Sequence, residues 1–306
     1  MDSAFIIICA LILNALVAGP RALYENLGIF NFLRWPARKL REVERKLNRE
    51  HRPESELEMR GYIVLAAGIC AAIAIGWLLQ GVTLATNKLF DVLVLALLLP
   101  VRPALDFAIS AQKMLAQKNI QAARDLFAHT IWRHHAVMDE YSLARAAIET
   151  LAVSFAERIL CPIIGYMILG LPGVLLCVFI TMLHDTVSTG SFSKAAKQAY
   201  VFLHWVPSRI AACLWILVSL FMPENRIRQV AHELWLLMQE TPPQVLSLAA
   251  AGHVLKLSLG GPASVYSGGK WLGNGTPKIH PSHIGKAIYL FGMLHLIIVL
   301  MLGLML

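Results

Sequence analysis

Residues 62–79 read YIVLAAGICAAIAIGWLL, eighteen positions in a row without a charge. A helix rises 1.5 Å per residue, so such a run nearly matches the roughly 30 Å hydrocarbon core of a bilayer and reads as a transmembrane helix. Further apolar runs, each with one or two charged residues, occupy 84–99, ended by Pro100 and Pro103, then 206–222 and 284–306. Residues 4–18 form a shorter one. A signal peptide would start with basic residues, and Met1-Asp2-Ser3 does not, so a retained membrane helix is the expectation. Residues 159–183 are apolar but interrupted by Pro162, Gly165, Gly170, Pro172 and Gly173. This pattern fits either one kinked span or a re-entrant hairpin buried against other helices, where broken backbone is tolerated.

The composition agrees, with 57% hydrophobic residues against 15% charged. The formal net charge of +8 is unevenly spread, because the cations gather in loops beside the apolar runs. That distribution speaks to membrane topology and anionic headgroups. No helix-turn-helix, zinc-finger or RNA-binding pattern accompanies it, so nucleic acid is not an expected partner. The cysteines, Cys9, Cys70, Cys161, Cys177 and Cys213, all lie in apolar stretches without C-x-x-C spacing. They read as small buried residues, with neither a disulfide framework nor a metal site among them.

Between the apolar runs lie amphipathic segments. Residues 33–60 are rich in Arg, Lys and Glu, with Trp35, Leu40, Val43 and Leu47 near helical spacing, as in a basic helix on a membrane surface. The positive-inside rule places this segment in the cytoplasm and the 80–88 turn outside. Residues 104–158 then form a cytoplasmic helical section, beginning with a hairpin whose turn falls near Lys118-Asn119. Residues 224–256 read as further cytoplasmic helices. The expectation is an all-α, polytopic integral membrane protein with about four to six transmembrane helices plus cytoplasmic amphipathic helices, one domain over 1–306.

The candidate site centres on residues 257–283, which contain LSLGGPASVYSGGKWLGNGTPKIHP. Its glycines, Gly260, Gly261, Gly268, Gly269, Gly273 and Gly275, permit positive φ and close approach of backbone to a ligand. Tyr266 and Trp271 add flat amphipathic side chains. Successive free amides in such turns form anion-binding concavities. Upstream, Arg145 and Glu149 are four residues apart, share a helical face and could pair with each other. His134 and His135 are adjacent, point to different faces and lack metal-ligand spacing.

Taken together, these segments resemble the CobD/CbiB family, the adenosylcobinamide-phosphate synthases. Ala122-Ala123-Arg124, Arg133, Asp139-Glu140 and Arg145-Ala146-Ala147-Ile148-Glu149 are similar to a helix pair of that family. Pro162 with Gly170-Leu171-Pro172-Gly173, the stretch Trp205-Val206-Pro207-Ser208-Arg209, and Leu259-Gly260-Gly261-Pro262 through Tyr266-Ser267-Gly268 to Leu272-Gly273 follow in the family's order. The chain departs from the pattern after Glu149. Val153 and Ser154 stand at an acidic and an amide position, and Glu157 keeps the charge.

The resemblance implies a multi-pass protein of the bacterial plasma (inner) membrane, with its main loops cytoplasmic. Its activity would be ATP-dependent, Mg²⁺-assisted amide formation between adenosylcobyric acid, a corrinoid, and aminopropanol phosphate. Glu149, Arg145, Glu157 and Asp185 are then the candidate catalytic residues. Arg133, Arg209, Gly260, Gly261, Tyr266, Gly268 and Trp271 are the candidates for holding substrate and phosphate, and no metal ligand is assigned. The alternative is a non-catalytic regulatory or interaction protein of the same architecture, of the AmpE type.

Overall fold

The computed structural model describes residues 3–17, 29–48, 53–85, 88–99, 101–128, 137–187, 190–222 and 227–306. The first helices are α1 (Ser3–Val17), α2 (Ile29–Leu47), α3 (Glu54–Ala85), α4 (Leu89–Leu98), α5 (Val101–Ala116) and α6 (Ile120–Ala128). Then come α7 (Glu140–Ser154), a π-helical segment (Phe155–Leu160), α8 (Cys161–Leu169), α9 (Leu171–Thr186) and α10 (Lys194–Val218). After α11 (Ile227–Glu240) and α12 (Pro243–Leu255), strands β1 (Leu259–Gly260) and β2 (Trp271–Leu272) form an antiparallel ladder, and α13 (Pro281–Gly303) closes the chain.

The chain is an all-α polytopic membrane protein. Five stretches, Glu54–Thr83, Leu89–Ala116, Glu140–Leu169, Ser191–Phe221 and Pro281–Gly303, are long and apolar enough to cross a bilayer. In the first of these only 11% of the most apolar window is buried inside the protein, and Trp77 and Leu78 stand exposed, as lipid-facing residues do. In Glu140–Leu169, which overlaps the section read as cytoplasmic, 72% of that window is buried. Most of its apolar surface is thus covered by the protein itself.

The contacts divide the chain into two compact units. The first comprises residues 1–100 and 158–204. Its long helix α3 packs on α9 through glycines: Gly68 faces the Phe179 ring and Gly76 faces the Pro172 backbone, so no Cβ holds the two helices apart. The interrupted stretch 159–183 is a hairpin, not a single kinked span. The backbone reverses at Gly170, φ 69°, and α8 and α9 then pack together where Gly165 and Gly173 meet. A Cβ on Gly173 would strike the Gly165 carbonyl, which is backbone and cannot rotate away. Gly173→Ala is therefore expected to lower the thermal midpoint in detergent by overpacking, at a cost of about 1–3 kcal/mol. Gly81→Ala, where a Cβ meets nothing within 4 Å, is its control and should leave the midpoint unchanged or raise it.

Several polar groups inside this unit pair across helices. Asp91 accepts from Thr83 at 2.6 Å and from Tyr166 at 2.5 Å, and Asn14 of α1 donates to the Ala96 carbonyl at 2.6 Å. The basic amphipathic segment ends as helix α2. Its Leu40 and Leu47 pack against a cluster of Leu57, Leu183, Val187, Phe192 and Ala196, while Trp35 and Val43 stay exposed. Residues 54–60 belong to α3.

The second unit comprises residues 101–157 and 205–305. Helices α5 and α6 form a hairpin through 117–119, with Lys118 at φ 55° and the rings of Phe107 and Phe127 in edge contact at 4.8 Å. They bury Ala108, Ala111, Leu115 and Ala123. At the centre lies α7, where Leu143, Ala144, Ala147, Ile148 and Leu151 are buried. Its small residues admit α12, whose Ser247 hydroxyl donates to the Ala152 carbonyl at 2.8 Å.

Candidate functional site

Helix α7 starts at Asp139, whose carboxylate accepts the Ser142 N–H at 2.8 Å as an N-cap. Burial alone would push the Asp139 carboxyl up, but the Ser142 hydrogen bonds together with the Arg145 charge hold the group below the ordinary carboxylate range. One turn further in, the helix carries Arg145, 7% exposed, and one turn beyond that Glu149, fully buried. An ionised group at such depth is costly unless hydrogen-bonded. Both residues find their partners in the glycine-rich loop.

Glu149 Oε1 accepts the Gly260 N–H at 2.6 Å, and Oε2 accepts the Ser264 hydroxyl at 2.6 Å. Arg145 donates from Nη2 to the Pro277 carbonyl at 2.8 Å, and its guanidinium lies 4.6 Å over the Trp271 ring. Charge-assisted bonds of this kind are the strong class. The two residues thus engage separate stations of the loop, in place of the direct pairing that their spacing allows.

The loop is built to receive them. Gly260 has φ 82°, and a Cβ there would strike the Lys270 carbonyl, so only glycine fits. The Gly261 N–H donates to Lys270 O at 2.8 Å, Ser264 N–H to Gly261 O at 3.0 Å, and Tyr266 N–H to Ser264 Oγ at 3.3 Å. The Tyr266 side chain is buried while Trp271 is half exposed. At the base, the Ser258 hydroxyl donates to Gly275 O at 2.7 Å. The amides of Gly260 and Gly261 are thus taken up inside the protein and do not form an open anion cradle. Gly268 and Gly269, at φ 58° and 85°, differ: a Cβ on either meets nothing within 4 Å.

Of the residues singled out from sequence, this arrangement unites Arg145, Glu149, Gly260, Gly261, Tyr266, Gly268 and Trp271. Arg209 is held elsewhere in the same unit. It donates to Trp205 O at 2.9 Å and Met238 O at 2.6 Å, with its guanidinium 3.9 Å from the Trp205 ring. Glu157 is buried in the π-helical segment two turns past Glu149. Asp185 belongs to the first unit, where it accepts from Arg158 at 2.8 Å and neighbours His184. Arg133, with His134 and His135, lies outside the described residues.

One polar group escaped the sequence reading. Glu233 of α11 and His253 of α12 meet with Nδ1 2.6 Å from Oε2, and Asn274 of the loop donates to the same carboxylate at 3.3 Å. The available signal was weak: a single histidine in the last turn of the alanine-rich helix that leads into the glycine-rich stretch.

Among the described residues no group of three or more His, Cys, Asp or Glu side chains could hold an ion, and both Glu149 oxygens are occupied by loop donors. Mg²⁺ is usually held by one or two carboxylates together with substrate phosphates, so the ion that the family resemblance implies would be held chiefly by bound phosphate and not by a cage of side chains.

Comparison with known proteins places these features in a family. The model of the family described as CobD/Cbib protein matches residues 7–291. A protein of Chromobacterium violaceum named "Cobalamin biosynthesis protein CobD" is 24% identical over 95% of this chain and 92% of its own. The Rhodobacter capsulatus protein of the same name is 23% identical over 95% and 93%. For the Rhizobium meliloti protein, also of that name and 26% identical, the match spans 67% of this chain and 61% of the relative. No solved structure matches. With the family model covering nearly the whole chain, helices and glycine-rich loop included, the protein belongs to the CobD/CbiB family.

Proposed function

We propose that this protein acts in cobalamin biosynthesis as an adenosylcobinamide-phosphate synthase-like enzyme, joining aminopropanol or its phosphate to adenosylcobyric acid through an amide bond. The observation that carries the reading is the buried clamp of Glu149 on Gly260 and Ser264, with Arg145 set against Trp271. Two ionisable side chains are buried in α7 to fix the shape of one loop. A loop that only connected helices would have no use for that cost. Relatives named for cobalamin biosynthesis support the same reading.

Amide formation needs an activated carboxyl carbon and a neutral amine held in attacking geometry. ATP, as the resemblance implies, would supply the activation. This chain's own part is to present a rigid loop whose exposed Trp271 and open Gly268–Gly269 tip face the substrates. The setting is the bacterial inner membrane, with the loop on the cytoplasmic side.

The test is genetic and chemical. Expressed in a cell lacking its own synthase, the full chain should restore conversion of adenosylcobyric acid to the amidated corrinoid, read by mass spectrometry. Accumulation of unreacted adenosylcobyric acid, with the protein present in the membrane, would overturn the reading.

A further inference from the structure

Beside Asn274 and Gly275 of the glycine-rich loop lies a cleft of ≈ 260 Å³, lined also by Gln229, Glu233, His253 and Lys256, all in the second unit. Glu233 is its focus. One carboxylate oxygen accepts from Gln229 at 3.1 Å and from Asn274 at 3.3 Å, and the other stands 2.6 Å from His253 Nδ1. The walls are fixed by backbone: Lys256 sits at φ 55°, closing α12, and a Cβ on Gly275 would strike the Lys256 carbonyl.

From this geometry we infer that the cleft is the binding site for a small primary amine, with Glu233 holding the ammonium and His253 accepting its proton. Size comes first. Pockets for drug-sized ligands run to roughly 300–1,000 Å³, so a cleft of ≈ 260 Å³ takes a small polar molecule and excludes a macrocycle. Charge comes next. The Glu233 carboxylate stands beside Nδ1 of the ring, which leaves Nε2 as the nitrogen that can take up a proton. With Lys256 also lining it, the cleft offers both signs of charge, as an amine carrying an anionic group requires.

The step is a single proton transfer. One proton leaves the ammonium nitrogen and ends on His253 Nε2, and no bond to carbon changes. The amine becomes a neutral nucleophile and His253 carries the proton. This assignment rests on the amide-forming reading for its chemistry, though the binding site can be tested without it.

The experiment uses the full chain in detergent, with 1-aminopropan-2-ol phosphate as the probe and inorganic phosphate as its control, followed by calorimetry. The aminoalcohol phosphate should bind, and Glu233→Gln should weaken it at least about tenfold while phosphate alone binds no better to either protein. His253→Ala should keep binding within about threefold, lose on the order of 100-fold in amide formation, and regain part of that rate on addition of imidazole. His253→Gln, closer in volume, should show the same loss at an unchanged thermal midpoint. An active enzyme whose affinity and rate ignore Glu233→Gln and His253→Ala would overturn the inference and leave the amide-forming reading standing. Loss of rate in both His253 variants without imidazole rescue would overturn the role of base. Glu233-dependent amine binding by a protein that forms no amide would uphold the site and overturn the reaction.

Discussion

Replacing Glu149 by Ala is expected to release the glycine-rich loop from α7 and to take the amide formation proposed above below detection. The carboxylate accepts two hydrogen bonds at 2.6 Å from residues more than a hundred positions away, and the side chain is fully buried. Each bond to a charged acceptor contributes about 1.5–3 kcal/mol, and truncation leaves the Gly260 N–H buried without a partner. Since 1.4 kcal/mol is about a factor of ten, loss of both bonds leaves the loop undocked most of the time. Glu149→Gln should be milder. Its carbonyl still accepts from Gly260, and the Ser264 hydroxyl can turn to accept from the new amide. Hydrogen exchange over 259–272 reads the docking directly, beside the rate of amide formation. Equal exchange in wild type and Glu149→Ala would sink the clamp, whatever happens to the rate.

Gly260→Ala should be nearly as severe, for a steric reason. At φ 82° an L-residue is strained, and the added Cβ would meet the Lys270 carbonyl within the β1–β2 ladder, which cannot yield without opening it. Gly268→Ala, at φ 58° in open space, faces only the left-handed backbone cost of roughly 1–2 kcal/mol. Thermal midpoints in detergent and amide formation should therefore separate the two, with Gly260→Ala losing both and Gly268→Ala retaining most of its stability. Matching losses at the two positions would show that the ladder does not set the loop's shape.

Much of this was legible in the residues, and the limits have physical causes. Uncharged runs such as 62–79 mark spans because lipid solvates no charge, and the turn at Lys118-Asn119 follows from the alanine–leucine pattern on either side. The stretch 159–183 allowed two backbones, since the Gly170-Leu171-Pro172-Gly173 break is compatible with a kink or a reversal. What decides it is that Gly165 and Gly173 can touch only in a hairpin. Arg145 and Glu149 had helical spacing for a pair, yet long-range donors at Pro277, Gly260 and Ser264 supply different partners.

The sequence by itself determined that this is an all-α membrane protein and which loop is its unusual element, because hydropathy, period and glycine content are local properties. Only the tertiary structure decided what that loop is anchored to, that Asp185 lies in the other unit with Arg158, and that Glu233 meets His253. Hydrogen bonds that span a hundred residues leave no trace in spacing, since they depend on where packing brings the helices.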